Sequence, residues 1–115
     1  MSSVHKQLCE TLVNEVDTVE AAFTLGANGM ARTWSTRRDT GIDEVASISA
    51  GLLGIAGELH LFDSSSDASM LFETGFGAMY VRTLDRETLL VLCLLEGFSF
   101  LTITRLLRKV LPGTG

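Results

Sequence analysis

Between Thr40 and Phe62 the apolar positions recur with the period of a helix, yet the charged positions that normally fill the opposite side are almost missing. At about 100° per residue, Ile42, Val45, Ile48, Leu52, Ile55, Ala56 and Leu59 gather on one side, an apolar stripe suited to packing on a sheet. The other side holds Asp43, Ala46, Ser47, Ala50, Gly51, Gly54, Gly57 and Glu58. Each glycine inside a helix costs about 1 kcal/mol relative to alanine, so this small face asks for a compensating close approach of another backbone. Ala46, Ala50 and Gly54 lie four apart, as do Ser47 and Gly51, a spacing that lets a second helix come near. The pattern predicts a helix that packs on a sheet through one face and on a partner through the other; a tight contact inside the monomer is the alternative. Thr40 with Asp43 forms the [ST]-x-x-[DE] capping box at its start.

The flanking segments alternate between helical and strand periods. Val4, Leu8, Leu12 and Val16, spaced by four, predict a first amphipathic helix over Ser3 to Val16. Val19 to Leu25 and Met30 to Ser35 read as strands joined by Gly26-Ala27-Asn28-Gly29, whose Asn-Gly pair supplies the positive φ of a hairpin turn. After the polar loop Asp63 to Asp67, three further strands are predicted at Ala68 to Glu73, Ala78 to Leu84 and Thr88 to Leu95, arranged as a meander. Thr88 to Leu95 is apolar at almost every position instead of alternating, which implies a central strand covered on both faces. A last helix over Phe98 to Val110 repeats Ile103, Leu106, Leu107 and Val110, with Arg105, Arg108 and Lys109 toward its C-terminus, where the macrodipole favours cations. Pro112 and Gly113 end it.

Composition narrows the function classes. The chain has 115 residues, enough for one domain with a real core, and is 46% hydrophobic and 20% charged, which fits a globular fold. A net charge of -5 leaves no basic stripe for nucleic-acid phosphates. No basic stretch followed by an apolar one marks a secretory signal, and no apolar run reaches the roughly 20 residues a spanning helix needs, so a soluble cytoplasmic protein without membrane insertion is expected. Cys9 and Cys93 each sit in an apolar pattern and read as buried thiols of a reducing compartment. His5, Cys9, His60 and Cys93 match no recognised zinc spacing, no Gly-x4-Gly-Lys-[Ser/Thr] loop is present, and Ser47 and Ser49 do not form a nucleophile elbow. Asp85 and Glu87 read as a solvated turn, Phe98 and Phe100 as core, and Arg37 and Arg38 as an exposed linker able to meet an acidic partner. No catalytic, cofactor-binding or metal site is predicted.

Helix, two strands, helix, three strands, helix: this order, with LGANGMARTWS in the first hairpin, VASISAGLLGIAGELHLF in the central helix and MLFETGFGAMYVRTLDRETLLVLCLLEGFSFLTITRLLRKV to the end, resembles the roadblock / dynein light chain family. The match is in type and spacing over nearly the whole chain. The resemblance implies an α+β sandwich with a five-stranded antiparallel sheet of order 2-1-5-4-3, the central helix on one face and the terminal helices on the other. It also implies a homodimer, or a heterodimer with a sister protein, formed through the central helix and third strand. Ala46, Ala50, Gly54, Gly57, Met70 and Phe72 then line the dimer interface, and Asp43, Ser47, Gly51 and Glu58 face a Ras-like small GTPase seated on the paired helices. A profilin-like ligand-sensing or enzyme-accessory module is the competing reading.

Overall fold

Because Thr88 to Leu95 is apolar on both of its faces, it can only be satisfied between two layers, and the sheet is built around it. The structure, a computed structural model, describes residues 2–26, 30–37, 51, 69–74, 77–85 and 87–110. Helix α1 (Ser2–Glu15) leads into strands β1 (Val19–Gly26) and β2 (Ala31–Thr36), followed by β3 (Ser69–Thr74), β4 (Gly77–Asp85), β5 (Thr88–Leu95) and helix α2 (Phe100–Val110). The five strands form one antiparallel sheet in the order β2-β1-β5-β4-β3, as the resemblance implied. Strand β5 lies at its centre, with Ala22 opposite Leu92 on one side and Tyr80 opposite Leu92 on the other.

Successive β5 residues point to opposite faces, and each set joins a different core. Leu90, Leu92 and Leu94 pack with Ala22, Tyr80 and the helix residues Leu8, Leu12, Ile103 and Leu107. Leu89 and Val91 pack with Phe23, Leu25 and Val81, flanked by half-buried Met70, Phe72 and Met79. Both terminal helices therefore lie on the first face. Phe23, Leu25, Leu89 and Val91 are nonetheless completely buried on the second, which requires another layer there. The sequence reading assigns that role to the helix expected over Thr40 to Phe62; of that stretch only Gly51, which is helical, lies among the described residues.

Several local expectations shift. The α1 stripe is Leu8, Cys9, Leu12, Val13 and Val16, while Val4 is 59% exposed. Four residues advance a helix by about 400°, so a strict four-residue spacing drifts around the axis, and Val4 has drifted off the face that Leu12 centres. Helix α2 starts two residues later than the periodicity suggested because Ser99 caps it: the Thr102 N–H donates to Ser99 Oγ at 3.2 Å. Phe98 is half-buried against the first core, but Phe100 is 41% exposed and meets Tyr80 edge-on, with ring centroids 5.4 Å apart. Cys93 is half-buried rather than internal. The first hairpin forms as read, closed by Gly26 N–H to the Met30 carbonyl at 2.9 Å, though its Asn28-Gly29 turn lies outside the described residues.

Candidate interaction surfaces

The sheet order leaves β3 paired only to β4, so the outer side of β3 presents backbone donors and acceptors that no described strand uses. Met70 and Phe72 of the predicted dimer interface sit opposite Val81 and Met79 and face the second core, half-buried. Leu71 points the other way and is 43% exposed. The edge therefore offers its backbone and Leu71, while Met70 and Phe72 continue the apolar second face up to it.

Of the residues expected on the central helix surface, Gly51 alone can be placed. It is helical and exposed, and a Cβ added to it would meet no atom within 4 Å. Nothing inside the described monomer demands the missing side chain. Ala46, Ala50, Gly54 and Gly57, and with them Asp43, Ser47 and Glu58, lie outside the described residues.

Other polar groups have structural roles. Arg37, expected in a free linker, instead donates to the carbonyl oxygens of Val13 and of Val16, the latter at 2.9 Å, and closes the end of α1. The signal was hidden because donor and acceptors are more than twenty residues apart. Asp85 accepts the Glu87 N–H at 2.8 Å in an exposed turn. Cys9 is fully buried, with Sγ 3.9 Å from Thr33 Oγ1, and Thr33 is in turn bonded to Thr24 Oγ1 at 2.8 Å. Burial pushes the Cys9 thiol up to about 11, the Thr33 hydrogen bond pulling down against it and Glu10 adding to the rise, so the group is a neutral core atom at physiological pH. His5 lies half-buried one helical turn away, at the rim of a cleft of about 320 Å³ between α1, the end of β4 and the end of α2, with Leu8, Leu84 and Val110 as apolar walls and Gln7, Thr11 and Asp85 as polar neighbours. Among the described residues no helix is long and apolar enough to cross a membrane.

No protein-family model matches the sequence, and no curated protein is similar to it in sequence. Solved structures do match in shape. A Roadblock/LC7 domain from Streptomyces avermitilis superposes with a TM-score of 0.71 at 19% identity, over 92% of this chain and 93% of its own. The gliding protein mglB of Thermus thermophilus gives 0.70 at 15% identity, over 96% and 84%. An MglB with a tetrameric arrangement gives 0.68 at 14% identity, over 92% and 81%.

Proposed function

From the roadblock/LC7 fold that this chain adopts, we propose that it is a non-enzymatic, dimeric cytoplasmic scaffold whose paired central helices receive a Ras-like small GTPase. The observation that carries the reading is Gly51. A helical glycine on an exposed surface sacrifices about 1 kcal/mol of helix propensity, and no neighbour in the described monomer needs the space, which supports a partner surface there. The open edge of β3, continuous with the half-buried Met70 and Phe72, supplies the second half of a self-complementary contact, in which the same patch serves both subunits. That an MglB of this fold has a tetrameric arrangement supports self-assembly as a property compatible with the architecture. Ala46, Ala50, Gly54 and Gly57 with Met70 and Phe72 form the interface in this reading, and Asp43, Ser47, Gly51 and Glu58 the platform.

Sedimentation at micromolar concentration is expected to give about twice 12.4 kDa. Small GTPases of the source organism, screened in both nucleotide states by calorimetry, are expected to include one that binds the dimer and loses binding with Gly51→Arg or Glu58→Lys. A monomer removes the platform; a dimer that binds no GTPase leaves a scaffold for another class of protein. Among the described residues, the cleft beside His5 favours ligand sensing as a second reading, since apolar walls with polar groups at the rim are what a small-molecule site requires. A metabolite panel read by thermal shift, with Leu84→Trp to fill the cleft, tests it.

A further inference from the structure

Helix α2 carries three of the chain's nine Lys and Arg residues within its 11 positions and no acidic residue. Ile103 and Leu107 are buried beneath it, so at about 100° per residue Leu101, Arg105, Arg108 and Lys109 fall together on the outward side. All four are exposed, Leu101 by 59%. None of the three cations makes an ion pair or hydrogen bond with a described residue. The helix dipole accounts for Arg108 and Lys109 in the last turn, but it does not reach Arg105 in the middle of the helix, nor does it explain a leucine left in water in line with the cations.

We propose that this outward strip of α2 docks an acidic segment of a partner protein, with an apolar residue of that segment against Leu101 and its carboxylates along Arg105, Arg108 and Lys109. The strip is one helix wide and about 12 Å long from Leu101 to Lys109. The strip stands out against an acidic chain: net charge is -5 with these cations included. Three cations in line with one exposed leucine match, in charge and in width, a single chain segment that carries carboxylates and one apolar residue. The site lies on the terminal-helix face of the sheet and stands independently of the GTPase reading.

The test is fluorescence anisotropy with a labelled synthetic peptide bearing a row of Glu on one helical face and a Leu at one end, beside its Lys-for-Glu counterpart and vesicles of phosphatidylglycerol and phosphatidylcholine. The Glu peptide is expected to bind and the Lys peptide not, with affinity falling as salt rises, because the contacts are exposed charge pairs. Arg105→Glu/Lys109→Glu is expected to weaken binding at least about tenfold and Leu101→Ser by about threefold. Arg105→Ala, which introduces no repulsion, serves as the milder variant, and circular dichroism confirms the fold of each. Equal binding of the Glu peptide by wild type and the charge-reversed variant overturns the proposal. So does strip-dependent binding to the anionic vesicles without binding to the peptide.

Discussion

The guanidinium of Arg37, just past β2, donates to the carbonyl oxygen of Val16, just past α1, at 2.9 Å, and also to that of Val13. Helix α1 has no basic residue in its own last turn, so the charge that its dipole favours there comes from the end of the first hairpin. Arg37→Ala is expected to destabilise the fold by about 1–2 kcal/mol, and Arg37→Lys by less, since an ammonium keeps the charge but not the two-carbonyl reach. Urea denaturation of the three proteins checks this; an unchanged midpoint for the Ala variant would mean that water replaces the guanidinium without loss.

Two glycines have positive φ for different reasons, and alanine separates them. At Gly77, φ is 154° and a Cβ would fall 2.0 Å from the Leu94 carbonyl oxygen, so the backbones of β4 and β5 must part to admit it. Gly77→Ala is expected to cost about 2–4 kcal/mol. At Gly97, φ is 86° but the space is open, so only conformational strain opposes a side chain, and Gly97→Ala should cost about 1 kcal/mol. Equal losses in chemical denaturation would refute the steric account of Gly77.

Burial of Cys9 makes stability depend on alkaline pH. The thiol is held neutral in the fold with its pKa raised from 9.0 to about 11, so its contribution is complete below pH 9.0 and is lost as pH climbs through about 11, while the unfolded chain ionises first. The slope in that window reaches at most about 1.4 kcal/mol per pH unit. Denaturation midpoints of wild type and Cys9→Ala between pH 8 and pH 11 (roughly the window set by a thiol) should converge as pH rises. Parallel profiles would show that Cys9 ionises equally easily in both states.

Gly51 offers a test that separates folding from docking. With no atom within 4 Å of a built Cβ, Gly51→Ala is expected to raise stability by up to about 1 kcal/mol through helix propensity alone. The measurement is made at concentrations low enough to keep the protein monomeric. A loss of stability there would point to a contact within the monomer instead of a partner.

Much of the architecture was legible because periodicity is a strong signal where burial is complete. The continuous apolar run of β5 announced two covered faces, and Phe23, Leu25, Leu89 and Val91 on one side with Leu90 and Leu92 on the other fill them. The ends of elements were less legible, since they depend on capping: Ser99 sets the start of α2 and Arg37 seals the end of α1 from more than twenty residues away. Side-chain exposure at the margins was not legible at all. Phe100 reads as core by composition but rests edge-on against Tyr80 at the surface, and Arg37 reads as free linker although its carbonyl partners, Val13 and Val16, lie in and just past α1. For the candidate site, Met70 and Phe72, expected at the interface, lie on the second face of the edge strand, while the outward strip of α2 is masked in the sequence because the helix dipole alone accounts for cations near its end.

The position of β5 between β1 and β4 also governs how the chain reaches this state. Strands β3, β4 and β5 are separated by only a few residues of sequence, as are β1 and β2, so both groups can assemble locally. Their seam joins Ala22 to Leu92 and Phe23 to Val91, residues far apart along the chain. Closing so long a loop costs entropy before any of the Phe23 and Val91 burial is recovered, and pairings of this kind set the slow folding rates of sheet proteins. Trimming Phe23 or Val91 should therefore slow refolding, whereas trimming Met70 at the sheet's edge should chiefly speed unfolding.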